Sequence, residues 1–220
     1  MVVLLDEFQE IERLGGQRLL QRLRANLQPQ RRTAYLFLGS RMTFLCSLFA
    51  DRGQAFYRFA VLEDLPAVPE DAWRSYIGGR LAEQGIGATS RALDLLLERT
   101  GGHPYCTMAV AYNAYLQTRM HGDATMDADT VLFAVDRALE QLDSAYEALW
   151  RDLRRAAHAD RVLAALALGG RPYTLGIPGS QVSRALRQMQ EGSVLVRGAG
   201  RGQYHLVDPL FGEWLRRKLA

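Results

Sequence analysis

The spacing of apolar residues changes character three times along the chain, and each change predicts a different architecture. Val2 to Leu5 is an unbroken apolar run with β-branched residues, the pattern of a short strand covered on both faces in a parallel sheet. From Gly16 to Leu27 the period lengthens. Leu19, Leu20, Leu23 and Leu27 share one face while Arg18, Arg22 and Arg24 fall mostly elsewhere, which predicts an amphipathic helix. A second apolar run, Thr33 to Ser40 (TAYLFLGS), follows and closes on Gly39. Strand, crossover helix and strand make a βαβ unit. Met42 to Phe49 predicts a short helix, and Phe56 to Asp64 (FYRFAVLED) contains a third short strand. Residues 1–65 therefore read as α/β, with too few strands for a complete sheet.

Beyond Pro66 the strand patterns give way to helical periodicity in Glu70 to Glu83, Ser90 to Thr100, Tyr105 to Met120 and Ala128 to Ala157. Thr89 or Ser90 can cap the second of these and Gly101-Gly102 stops it. Residues 66–157 are thus predicted to be a helical subdomain. The remaining segment, 158–220, changes again. Asp160 to Leu168 and Gly179 to Gln190 read as helices, the latter with Val182, Leu186 and Met189 inward. Val194 to Val196 and Tyr204 to Val207 read as a hairpin around Gly198, Gly200 and Gly202, before a closing helix. That order is a winged helix-turn-helix, with RPYTLGIPG in place of its middle helix predicted to be short or irregular.

Composition adds little until the chain is divided. Hydrophobic residues make up 48% and charged residues 23%, ordinary globular values. No apolar stretch approaches the roughly 18 residues of a membrane span, and no basic region precedes the first apolar run, so no membrane partner is expected and a cytoplasmic setting is. Cys46 and Cys106 follow no metal or redox spacing and are expected to be reduced and buried. Charge is more informative. Residues 151–220 carry 12 basic and 5 acidic side chains, whereas residues 1–150 carry 15 basic and 19 acidic. The last segment is therefore a candidate anion-facing module. On it, Gln181, Arg184, Arg187 and Gln188 occupy the outward positions of a helix suited to a major groove, and Arg197 and Arg201 lie on the hairpin.

Asp6-Glu7 ends the first apolar run, where open α/β sheets place ligand-binding groups. Taken with VVLLDEFQEI, LFLGSRMTFLCSLF, FYRFAVLEDL, TGGHPYCTMAV and YHLVDPLFGEWLRR, the chain resembles, over nearly its whole length, the archaeal-type branch of the STAND class of AAA+-related P-loop ATPases. The fold this implies is a partial P-loop NTPase sheet, then a helical lid, then a winged helix. The resemblance assigns Asp6 to the water shell of Mg²⁺ and Glu7 to polarising the attacking water. It places Ser40 and Arg41 at the sensor 1 position facing the phosphate, with Arg41 able to stabilise charge developing there. Arg58 falls where the family tends to have an arginine. The resemblance also implies that Pro104, in a G-x-P signature, packs near the adenine, with His103 beside it.

One element of the family is missing. No G-x-x-x-x-G-K-[ST] sequence occurs, and with it go the backbone nest and lysine that cradle phosphates. ATP and Mg²⁺ are thus expected of a full-length form and not to bind tightly to this chain alone. The expectation is that the chain is the C-terminal portion of a longer ATPase switch. Alternatively a separate polypeptide supplies the N-terminal half, or the chain is a non-catalytic winged-helix protein that binds DNA or a protein partner.

Overall fold

In the computed structural model, residues 1–39, 42–63, 65, 67–198, 200 and 202–220 are described. They divide into two compact units, Met1–Leu65 with Glu191–Ser193, and Pro66–Gln190 with Val194–Ala220.

The first unit is a βαβ layer. Strand β1 (Val2–Leu5) runs parallel to β2 (Ala34–Phe37), with Val2 opposite Ala34 and Leu5 opposite Phe37. Between them come a 3-10 turn at Phe8–Glu10, α1 (Ile11–Leu14) and α2 (Gly16–Leu27), and α3 (Met42–Ala50) follows β2. Side chains alternate across a strand, so Leu5 and Phe37 face the core of Phe8, Ile11, Leu20, Leu48, Phe49 and Phe56. The opposite face is bare: Val2, Leu4 and Leu36 are 67, 56 and 50% exposed. The apolar run had implied cover on both faces, and among the described residues it has cover on one. The strand expected within Phe56 to Asp64 is also absent among the described residues, where the chain makes consecutive turns. Phe56 and Phe59, three apart, both turn into the aromatic cluster around Phe37, and Arg58 between them is left-handed at φ 54°. An extended strand would send that pair of rings to opposite faces.

The second unit is mainly helical: α4 (Glu70–Ala82), α5 (Ser90–Thr100), α6 (Pro104–His121) and α7 (Ala128–Leu153). Thr89 Oγ1 caps α5 by accepting the Ala92 N–H at 3.1 Å, and Asp127 caps α7. A two-residue parallel ladder joins β3 (Gly87–Ala88) to β4 (Thr125–Met126), tying the loops before α5 and α7 together. Then come α8 (Ala159–Ala167), a 3-10 turn at Pro172–Thr174, α9 (Gly179–Glu191), the antiparallel hairpin β5 (Leu195–Arg197) and β6 (Tyr204–Leu206), and α10 (Pro209–Leu219). One continuous core runs from Trp73 and Leu96 through Val135 and Trp150 to Leu186, Phe211 and Leu215. Among the described residues no helix is long and apolar enough to cross a membrane. Of the two cysteines, Cys106 is buried and Cys46 is exposed, so the expectation of two buried thiols fails at Cys46. A hydrophobic run such as that around Cys46 still leaves one helix face to solvent.

Candidate functional site

The acid pair sits where the ladder of β1 and β2 ends. Leu38 donates its N–H to the Leu5 carbonyl at 2.8 Å and Phe8 donates to the Leu38 carbonyl at 2.8 Å, so Asp6 and Glu7 bulge out beside Gly39 and both are exposed. Glu7 is left-handed (φ 49°, ψ 42°), a conformation that costs an L-residue roughly 1–2 kcal/mol. Its N–H is taken by Asp6 Oδ1 at 2.8 Å, a bond in which Oδ2 of Asp6 takes no part. Glu7 is also held from its side chain, because the Gln9 amide donates to Glu7 Oε2. Gln9 is buried, 4% exposed, and its amide oxygen occupies the space a side chain at position 39 would need. Gly39 is therefore a close-approach glycine, and Gln9 links the end of β2 to the carboxylate after β1. The sequence reading missed Gln9, although its place two residues after Glu7 was visible.

Ser40, Arg41 and Arg201 lie outside the described residues. Arg58 donates its N–H to the Phe49 carbonyl at 3.0 Å, and its guanidinium lies over the neighbouring Tyr57 ring, 5.2 Å from the centroid.

In the second unit, the turn before α6 is built from two left-handed glycines, Gly101 at φ 57° and Gly102 at φ 67°. Trp73 Nε1 donates to the Gly102 carbonyl at 2.9 Å. His103 is the N-cap of α6, its Nδ1 accepting the Cys106 N–H at 3.4 Å, so only its Nε2 edge is left for another partner. Pro104 fills the first helical position, where no amide is needed, and it is exposed.

A half-buried polar cluster lies beside this turn. Asp208 caps α10 by accepting the Phe211 N–H at 3.0 Å. It also accepts the Cys106 thiol at 3.1 Å and the Tyr146 hydroxyl at 2.9 Å. Burial, and then the Asp208 charge, pushes the Cys106 thiol up to about 12. The same two causes push the Tyr146 phenol well above its ordinary range. Both groups thus stay protonated and able to donate. The cap was readable from Asp208-Pro209, but its partners lie 102 and 62 residues away and no local signal announces them.

On α9, Val182, Ala185, Leu186 and Met189 are buried, and Gln181, Arg184, Arg187 and Gln188 are all exposed on the other side. Arg197 is exposed on β5.

In fold the chain is similar to part of solved ATPase structures. The Walker-type ATPase of Pyrococcus abyssi matches 98% of this chain with a TM-score of 0.74 at 18% identity. An Aeropyrum pernix ORC2 protein, solved as ADPNP–ADP complexes, matches 99% with a TM-score of 0.56 at 16% identity. The chain spans 63% of the length of the first and 66% of the second. No protein-family model and no curated protein matches the sequence.

Proposed function

We propose that the chain is the C-terminal portion of a STAND/AAA+-type ATPase, a molecular switch controlled by nucleotide. One observation carries this reading. In a chain similar in fold to part of a Walker-type ATPase, two exposed carboxylates stand at the C-terminal end of a buried-face parallel strand, beside the end of its neighbour. This is where open α/β sheets act on ligands.

The donor set fits a hydrated Mg²⁺. Asp6 keeps one carboxylate oxygen outside its local hydrogen bond, enough to order the metal's water shell. The ion would neutralise phosphate charge in the full-length form. Glu7 is assigned to the attacking water, with Gln9 fixing its carboxylate. Ser40 and Arg41 are assigned to the phosphate, and Pro104 to the base with His103 Nε2 beside it. The helices α4 to α7 then serve as a lid, and α8 to α10 with the hairpin as a winged helix that relays the lid's position. Without a phosphate cradle the two acids would repel triphosphate, so the chain alone is assigned no tight ATP binding. In the full-length form Glu7→Gln is expected to abolish turnover while ATP stays bound. Equal hydrolysis rates in the variant and the wild type would remove Glu7 from that role.

The exposed row Gln181, Arg184, Arg187 and Gln188 favours a second reading, in which the segment is a non-catalytic DNA-binding or protein-contact module. DNA affinity that falls steeply with salt, and is lost in Arg184→Ala plus Arg187→Ala, would support DNA. No binding at low salt would leave a protein partner.

A further inference from the structure

Asp208 does more than cap a helix. A cap uses one acceptor, yet this carboxylate collects three donors from three places: the Phe211 amide in α10, the Cys106 thiol in the first turn of α6, and the Tyr146 hydroxyl in α7. Both side-chain donors are buried, Cys106 completely and Tyr146 at 5% exposure. The next residue continues the contact. A Cβ on Gly101 would lie 3.3 Å from the Pro209 ring, so the glycine turn is seated directly on the start of α10.

The far side of α10 is joined to the hairpin. Gly212 lies so close to β6 that an added Cβ would come within 2.9 Å of the Leu206 side chain. Farther along α10, Trp214 donates to Asp143 at 2.8 Å and Arg217 pairs with Asp136 at 2.8 Å, both on α7. The exposed ion pairs contribute little each, whereas both side-chain donors to Asp208 are buried, where a donor without its acceptor is costly.

We propose that Asp208 is a latch and a positioning residue: it fixes the Gly101–Pro104 turn to α10, so that the turn and the β5–β6 hairpin move as one body. A ligand touching His103 or Pro104 would then be felt at the hairpin without an intervening hinge. The identity of that ligand rests on the nucleotide reading above; the mechanical connection does not.

The chemistry explains why the position carries a carboxylate. Asn at 208 would offer one acceptor oxygen in place of two, and the thiol or hydroxyl facing its NH₂ group would lose the acceptor for its own proton. Serine at 106 would keep a donor, whereas alanine would remove it.

The test uses the ligand-free 220-residue chain in a Cys46→Ser background, so that Cys106 is its single thiol. Hydrogen exchange is measured residue by residue, with the S–H stretching band as a direct report on the thiol. In the parent protein that band is expected to be displaced to low frequency by the bond to Asp208. Asp208→Asn should return it toward the free-thiol position and speed exchange about tenfold in the 101–107 segment and in the hairpin together. Cys106→Ala should speed exchange in the same two segments, and Cys106→Ser should restore protection. If Asp208→Asn does not fold, Tyr146→Phe removes one donor without opening a cavity and should loosen both segments several-fold. Faster exchange confined to the first turn of α10, with 101–107 unchanged, would reduce Asp208 to an ordinary cap and overturn the latch. Because no nucleotide is present, failure of the ATPase reading would leave these results as they are, and failure of the latch would leave the ATPase reading standing.

Discussion

Removing the Cys106 thiol should flatten the alkaline limb of the stability curve. The folded protein holds this proton up to about 12, against 9.0 for an ordinary thiol. Above pH 9 the unfolded chain therefore binds fewer protons than the folded one, and stability falls as pH rises. The contribution is fully present below pH 9 and is lost progressively toward pH 12. One proton is worth about 1.4 kcal/mol per pH unit, so the wild type should lose about 2 kcal/mol from this group between pH 9 and about pH 10.5. At pH 7, Cys106→Ala loses a buried side-chain atom and one donor to Asp208, a cost of about 1–2 kcal/mol. The gap between the two proteins should consequently close, or change sign, by about pH 10.5. Tyr146 shares Asp208 and is shifted by burial, by Asp208 and in part by Cys106, so the comparison is made in a Tyr146→Phe background, where its titration is absent. Urea unfolding followed by tryptophan fluorescence is a suitable assay, because Trp73, Trp150 and Trp214 all lie in the second unit. A gap that stays constant from pH 7 to about pH 10.5 would refute the buried, protonated thiol.

Two further effects are expected. Gly39→Ala should displace the Gln9 side chain and free the Glu7 carboxylate at a cost of at most about 1 kcal/mol, since only the end of a flexible side chain must move. That cost should vanish in a Gln9→Ala background, as a double-mutant cycle would reveal. Thr89→Ala removes the cap of α5 and should lower stability by about 1 kcal/mol, measured by urea unfolding at neutral pH.

Local signals carried the sequence reading as far as local physics reaches. Gly16 to Leu27 and Ser90 to Thr100 were legible to the residue, because a sustained apolar stripe and well-placed capping or stop residues bound them. FYRFAVLED was misread for the opposite reason. Its aromatics suit a strand by propensity, yet Phe56 and Phe59 obey an i, i+3 spacing that turns both rings into one core. The first apolar run likewise announced burial without saying on how many sides. At the candidate site, the position of Asp6-Glu7 at a strand end was legible, and so was the proline start of α6. The left-handed backbone of Glu7, the Gln9 tether and the convergence on Asp208 were not. Each depends on which distant segment arrives alongside, and a single sequence gives no record of such pairings.

The most direct test of the account is photolabelling of the protein isolated from its own cells with 8-azido-ATP in the presence of Mg²⁺, with the modified peptide mapped by mass spectrometry. The account predicts label on the peptide containing His103 and Pro104, suppressed by excess ATP. Label confined to other peptides, or none that ATP competes away, would contradict a nucleotide-controlled switch.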